Sequence, residues 1–559
     1  MAFALSPGVT VVEKDLTAIV PSVATTIGGY VGPFQWGPIE EVTTIDTEVS
    51  LVERFGKPND TVYESFFTAA NFLAYGNNLQ VIRVANQGIA RNAVSNTTAN
   101  AILIKNEDHY LTTYADSSAN VGEFAAKFAG SLGNSIKVSL ADGNTFNSWA
   151  YSTVFDNAPN TSDWVENLGG AHDELHVIVI DATGVWTGAP GTILEKHAFL
   201  SKASDAKNAD GSSAYYKDVL NNRSKYIWWM DHPTEGNNWG TQALSTTYAN
   251  LTSNVTVTLS GGVSADTPTD GNVQNGLAMF ANDEKYDLSL LPLGKASNST
   301  IIYAINNIAE VRKDCIVFFS PELNDVFDNV GDEVVDTVAL REGLPSTSYA
   351  VMDSGWKYQY DRYNDKNRWI PLNGDTAGCA VRTDFVADPW YSPAGFNRGQ
   401  IKNVIKLAFS PGKTDRDNLY KKGINPIVTF PGNGTVLFGD KTLLAKPSAF
   451  DRINVRRLFI VIEKAISTAA KYQLFEFNDG FTRAQFRNLV EPYLRDVQGR
   501  RGIIDFKVVC DESNNTGEVI DRNEFVADIY IKPSRSINYI TLNFIATRSG
   551  ISFEEVTGA

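Results

Sequence analysis

Residues 475–502 read FEFNDGFTRAQFRNLVEPYLRDVQGRRG. Thr482 and Gln485 stand in capping-box spacing, and Phe486, Leu489, Val490, Tyr493 and Leu494 then form one apolar stripe with a helical period. Pro492 falls inside that helix and is expected to kink it or end its regular hydrogen bonding. Just upstream, SAFDRINVRRL (448–458) places Asn454 as an N-cap for a helix whose face is Val455, Leu458, Phe459, Ile462, Ala465, Ile466 and Ala469. Downstream, period-two alternation predicts three strands: Phe506, Val508 and Cys510; Phe525, Ala527, Ile529 and Ile531; Ile540, Leu542, Phe544 and Ala546. A short segment, Ile551-Ser552-Phe553, trails as an arm. The order is helix, helix and three strands, with no catalytic signature, so residues 446–548 are expected to be an assembly domain and 549–559 a C-terminal arm.

The chain upstream has an interrupted layout. Pro7-Gly8 opens an alternating run in which Val9, Val11 and Glu13 lie on one face, which predicts a lone strand on an N-terminal arm over residues 1–20. TTIGGYVG, a helix near Thr61 to Tyr75 and a strand from Leu79 to Val84 begin a compact α/β core. Between residues 87 and 170 the composition turns to Asn, Ser, Thr, Ala and Gly with short strand-like runs such as SIKVSLA, which reads as a β-rich insertion exposed to solvent. Residues 171–339 alternate strands (LHVIVIDA, CIVFF) with helical stretches around Ala214–Leu220 and Ile301–Arg312, which reads as an α/β insertion. The aromatic and turn-rich stretch near Tyr349 resumes the core, so residues 21–86 and 340–445 are expected to form one interrupted domain. The fold class is α+β and multidomain: an α/β C-terminal core with strand-bearing terminal arms, an interrupted core domain, and β-rich plus α/β outer insertions.

Composition bounds the function. At 559 residues the chain exceeds one ordinary core, and 43% hydrophobic with 20% charged residues is the balance of a globular protein. A net charge of −16 opposes general binding to nucleic acid or anionic membrane, which needs a basic face. Cys315, Cys379 and Cys510 are far apart and form no CxxC pair, so reduced, buried thiols are expected rather than disulfides or zinc. The start MAFALSPGVTVVEKD lacks the pattern of a signal peptide, and no segment reaches the length of a membrane span; folding in a cytoplasm is expected.

Candidate chemistry is thin. Gly412-Lys413-Thr414 ends like a phosphate-binding loop, but Leu407 stands where that motif needs a glycine. Gly432, Gly434 and Gly439 miss GxGxxG spacing and fit a turn between strands. His172 and His176 have the i, i+4 spacing of a helical zinc site; however, Asp173 replaces the glutamate and the pair runs into the strand VIVID. With five histidines and no GxSxG or Cys/His signature, no catalytic, cofactor or metal residue is assigned. A metal-dependent hydrolase using His172 and His176 is the alternative from another class, and a non-contractile virion structural protein is a third.

Two features point to assembly. A lone strand leaves its backbone groups unpaired, so each arm must find a sheet edge, in its own domain or in a neighbouring subunit. Between Lys446 and Arg501 eleven Lys or Arg stand against six Asp or Glu, a local balance of about +5 in an acidic chain. Arg483, Arg487 and Arg495 along the capped helix, with Arg500 and Arg501 after it, fit either a solvated helix face paired with Glu491 and Asp496 or contact with an acidic partner.

The C-terminal phrases, together with LHVIVIDATGVWTGAPGTILEKH (175–197), SYAVMDSGWKYQYD (348–361), WIPLNGDTAG (369–378), DPWYSPAGFNRG (388–399) and INPIVTFPGNGTVLFGDKTLLAKPSAFDRINVRRL (424–458), resemble the tail sheath proteins of contractile-tailed bacteriophages of the large-myovirus type. The likeness runs from about Ser6 to the end and thins between Asn86 and Gly170. It implies a subunit that polymerises with itself as stacked hexameric rings around a tail tube, in a virion tail assembled in the host bacterial cytoplasm, and that contracts without nucleotide to drive the tube through the host envelope. It implies the tail tube, baseplate and tail terminator proteins as partners, with no direct nucleic acid and no membrane insertion. On this resemblance Val9, Val11, Glu13, Ile551 and Phe553 are the intersubunit arm strands, Phe506, Val508, Phe525, Ile529, Ile531, Ile540, Leu542 and Phe544 the accepting sheet, and Arg483, Arg487, Arg495, Arg500 and Arg501 the tube-facing cations.

Overall fold

The computed structural model describes residues 23–96, 101–116 and 120–542. Val9, Val11, Glu13, Phe544, Ile551 and Phe553 lie outside the described residues. The chain is a mixed α/β, multidomain protein that divides into two compact units. One holds residues 390–392 and 457–542 of the described chain, and the other holds residues 23–389 and 393–456.

The larger unit is organised by a seven-stranded sheet. Its strands run in the order Ile424–Asn425, Ala350–Asp353, Ile316–Phe319, Leu290–Pro292, Gly28–Gly32, Leu79–Arg83 and Val42–Ile45. All neighbours are parallel except the last pair, where Val42–Ile45 runs antiparallel at the edge. The inner strands are apolar and almost wholly buried, as a parallel sheet covered on both faces requires. Two glycines show the covering. A Cβ on Gly28 would stand 2.4 Å from Phe72, whereas one on Gly29 would stand 2.6 Å from Leu288 and 3.2 Å from Phe280. Successive residues of a strand face opposite ways, so helix Tyr63–Leu73 covers one face and the Phe280 segment the other. Helix Tyr63–Leu73 has Ser65 through Leu73 buried without interruption, which places it in the interior between the sheet and helix Asn373–Val386.

A second, antiparallel sheet orders Thr192–Ser201, Glu174–Asp181, Ile136–Asp142 and Val255–Thr258. It crosses the expected boundary at residue 170, because Ile136–Asp142 on one side pairs with Glu174–Asp181 on the other. The expected boundary at residue 339 is crossed as well: Leu290–Pro292 and Ile316–Phe319 belong to the central sheet. Composition marks where a chain becomes polar, whereas sheet membership depends on partners from about 26 to 262 residues away. The outer layer is thus one excursion between Arg83 and Leu290, and the core resumes well before residue 340.

In the smaller unit, helix Gly480–Gly499 and residues 457–470 of helix Ile453–Ala470 pack Leu458, Ile462, Ile466, Phe486, Val490 and Leu494 into one core. Both expected N-caps move. Asn454 lies inside the first turn of a helix that starts at Ile453, and Asp479 caps the next helix by accepting the Thr482 N–H at 2.8 Å. A carboxylate at a helix N-terminus adds a favourable dipole interaction to the cap, so Asp479 outcompetes Thr482. The helix continues through Pro492 to Gly499. Strands Ile503–Val509 and Asp528–Pro533 pair antiparallel, with Phe506 opposite Ile531 and Val508 opposite Ile529. Phe525 precedes the second strand instead of opening it, and Ile540 and Leu542, 77% and 71% exposed, are not in a strand. Alternation alone marks a segment able to be a strand; whether it becomes one depends on an edge to pair with.

Helix Asn373–Val386 approaches helix Tyr63–Leu73 closely enough that a Cβ on Gly374 would lie 2.5 Å from the Thr68 carbonyl oxygen. Because the obstacle is backbone, Gly374→Ala is expected to lower stability by about 1–3 kcal/mol, read as a lower urea midpoint at unchanged m-value. An unchanged midpoint would show that the two helices separate freely.

Candidate assembly surfaces

The sites that sequence motifs single out are structural. His176 is fully buried in strand Glu174–Asp181, its ring stacked 4.2 Å from that of Phe155. Its Nδ1 accepts the Phe199 N–H at 3.0 Å and its Nε2–H donates to the Asn157 carbonyl at 2.9 Å, so neither nitrogen faces a metal. His172 precedes the strand with φ of 65°, and Asp173 between them accepts from the Ser162 and Ser201 hydroxyls. Among the described residues no group of three His, Cys, Asp or Glu side chains converges as a metal site. Gly412 is the N-cap of helix Lys413–Lys421 and donates its N–H to Asp415 at 3.0 Å. Gly432 and Gly434, both at positive φ, make the turn of the hairpin Ile427–Phe430/Gly434–Leu437. The three cysteines are buried and none is in a disulfide.

In an open parallel sheet, ligands bind beyond the strand C-termini where the strand order reverses. Here that place lies past Gly32 and Pro292, whose strands adjoin while the chain runs to opposite edges. Protein fills it. Asn373 accepts the Gly294 N–H at 2.8 Å and donates to the Gly294 carbonyl at 2.9 Å and to Ser320 Oγ at 3.0 Å. Ser320 donates to Asp353 at 2.8 Å, and burial pushes the Asp353 carboxyl up to about 8. Close by, Lys357 and Asp375, neither with any exposed side-chain surface, pair at 2.8 Å, and the Tyr75 hydroxyl donates to Asp375 at 3.1 Å. These groups join helix, hairpin and sheet in a closed network.

Among the described residues, strands Ile503–Val509 and Asp528–Pro533 pair only with each other, so each presents an outer edge with backbone donors and acceptors. Phe506, Val508, Ile529 and Ile531 face the helices and anchor the pair, leaving Lys507 and Tyr530 on the outer face. The basic residues separate into two groups. Arg483 is buried, donating to the carbonyls of Asp479 and Asn515, so it braces the core and is not a surface cation. A helix side that looks uniform in one dimension is split by the strand pair packed against it. Arg487 is half-buried, whereas Arg495, Arg500 and Arg501 are exposed. Arg495 pairs with Glu491 at 3.6 Å, and Arg500 pairs with Asp496 at 3.5 Å while its guanidinium stacks 5.0 Å from Trp390.

Motif reading also missed a surface. Tyr472, Leu474, Phe475 and Phe477, in the connection between the two long helices, and Phe481, in the first turn of the second, are all more than 60% exposed, and Phe475 sits at φ of 71°. Five large apolar side chains within ten residues, lacking a helical period, were the available signal.

Comparison with known proteins identifies the class. Three family models match successive parts of the chain: tail sheath protein Gp18 domain III N-terminal region over residues 25–84, phage tail sheath protein central domain over 267–443, and phage tail sheath C-terminal domain over 445–547. The tail sheath protein of Vibrio phage KVP40 is 33% identical, over 99% of this chain and 100% of that one. The tail sheath protein of Enterobacteria phage T4 is 32% identical over 99% of each. The same fold is seen in the sheath tail protein from Listeria innocua, with TM-score 0.55, 13% identity and coverage of 92% of this chain and 96% of that one. It is seen again in the anti-feeding prophage helical sheath in its contracted state, with TM-score 0.52, 12% identity and coverage of 98% and 100%. The chain belongs to the bacteriophage tail sheath protein family. It is a structural subunit of the virion tail and not an enzyme.

Burial holds the His176 ring below its ordinary pKa. The unfolded chain therefore takes up a proton near pH 6.5 that the folded chain resists, so this contribution is present above that pH and is lost as pH falls through it. His176→Gln keeps an acceptor and a donor but cannot titrate. It is expected to cost about 1–2 kcal/mol near pH 8 and to flatten the fall in stability between pH 7 and 5, measured by urea unfolding at each pH. Parallel profiles for the two proteins would show that the ring does not contribute to acid sensitivity.

Proposed function

We propose that copies of this chain polymerise as stacked hexameric rings around a tail tube and that the resulting helical sheath contracts to drive the tube through the host envelope. The observation that carries this is the strand pair Ile503–Val509/Asp528–Pro533, anchored on one face and, among the described residues, open at its edges. Terminal segments carrying Val9, Val11 and Glu13 at one end and Ile551 and Phe553 at the other supply strands to pair with it in neighbouring subunits. At a net ~0.5–1.5 kcal/mol per hydrogen bond, a five-residue strand supplies a few kcal/mol per link, and a lattice repeats that link along its length. Such links keep subunits connected while they rotate and slide as rigid bodies, so the stored free energy of the extended lattice is released without nucleotide.

The tube, the baseplate and a tail terminator are the further partners in this reading, with assembly in the host bacterial cytoplasm and no direct contact with nucleic acid or insertion into membrane. Arg495, Arg500 and Arg501 are the candidates for facing an acidic tube, since they are the exposed members of the basic group. No helix among the described residues is long and apolar enough to cross a membrane. Resemblance to a sheath solved in a contracted state supports the contraction step.

Removal of residues 1–20 is expected to leave a folded subunit with an unchanged melting transition but no tubes, as seen by negative-stain electron microscopy with and without added tail tubes. Long, ordered tubes from the truncated chain would refute the strand-exchange reading.

A further inference from the structure

A groove of about 590 Å³ opens on the larger unit between the strand Lys406–Leu407 and the hairpin Ile427–Phe430/Gly434–Leu437. Its floor is apolar, formed by Ile401, Val404, Ile405 and Leu407, and Ile405 is 56% exposed. Its surroundings are basic: Phe396–Lys422 carries seven Lys or Arg against two Asp or Glu, in a chain of net charge −16. Lys406 lines the groove and is exposed, and Lys413, three residues after the lining Ser410, is exposed as well.

The same unit carries a ridge of the opposite kind. Glu322–Asp336 holds six Asp or Glu and no Lys or Arg, and Glu322, Asp328 and Asp332 are exposed. Between these carboxylates the ridge presents apolar tips: Val330 is 94% exposed, Val335 61% and Phe327 40%. Trp369 stands between ridge and groove, its ring 4.7 Å from Phe327 and 5.5 Å from the Lys406 Nζ. Among the described residues neither feature is covered, and each has what the other lacks.

We propose that this groove receives the acidic ridge of a second copy of the chain, with Val330 and its neighbours entering the apolar floor and Asp328 and Asp332 meeting Lys406 and Lys413. A contact between unlike patches of one body is heterologous, so it propagates instead of closing on a dimer, which is the geometry a helical lattice requires. Unlike charges set the register of such a contact, and like charges placed opposite each other oppose it strongly. The inference rests on the polymer reading above but concerns a different surface from the strand exchange.

The test is a charge exchange in the full-length chain. One protein carries Asp328→Lys and Asp332→Lys, and the other carries Lys406→Glu and Lys413→Glu; sedimentation and negative-stain microscopy measure polymer, and thermal melting verifies folding. Each variant alone is expected to lose at least about tenfold of its polymer, while a one-to-one mixture, in which every ridge again meets an unlike groove, regains it. Either variant polymerising alone like the unsubstituted chain overturns the proposal, as does a mixture of two folded variants that fails to recover. Failure of the unsubstituted chain to polymerise, alone or on tail tubes, overturns the lattice reading and this contact with it.

Discussion

Strand Gly28–Gly32 is hydrogen-bonded on both sides, to Leu79–Arg83 along its whole length and to the strand beginning at Leu290. The second pairing joins residues more than two hundred positions apart. It closes the chain around an excursion that carries the antiparallel sheet. The pairing depends on Gly28 and Gly29, because larger residues would push away Phe72 on one face and Leu288 on the other. Loss of that fit would separate the two halves of the core.

The central sheet has the architecture in which many proteins bind ligands, yet its crevice is occupied by its own side chains. Asn373, Ser320 and Asp353 satisfy one another there, and Lys357 with Asp375 ties the hairpin Trp356–Pro371 to helix Asn373–Val386. Burial pushes the Asp375 carboxyl up and the Lys357 amine down, opposed in each case by the attraction of its partner. Breaking one member would strand an unpaired charge in the interior, which is far costlier than the net value of the intact pair. Such stiffness suits the contraction proposed above, because domains that move as rigid bodies need cores that do not yield.

Legibility in the sequence varied with the range of the interaction. The two C-terminal helices, the hairpin turn at Gly432 and Gly434 and the buried state of the cysteines follow from periodicity, turn chemistry and composition within a few residues. The cap moved from Thr482 to Asp479 because nearby polar residues compete for the same N–H groups and a carboxylate interacts better with the helix N-terminus, while Asn454 falls one residue inside a helix that starts at Ile453. Arg483 illustrates the same limit. Its spacing puts it on the side of Arg487, but it is buried and bonded to the Asn515 carbonyl, which comes from later in the chain.

Sequence by itself determined the class of the chain through resemblance, since its phrases at 175–197, 348–361, 369–378, 388–399 and 424–458 are similar to those of tail sheath proteins, while its apolar periods determined the two C-terminal helices. Tertiary structure decided which strands share a sheet, and so abolished the boundaries at residues 170 and 339. It also decided which cations remain at the surface and that the imidazole of His176 is a stacking core residue. The physical reason is that local propensity is written in neighbouring residues, whereas sheet pairing, burial and charge exposure are properties of segments brought together from distant parts of the chain.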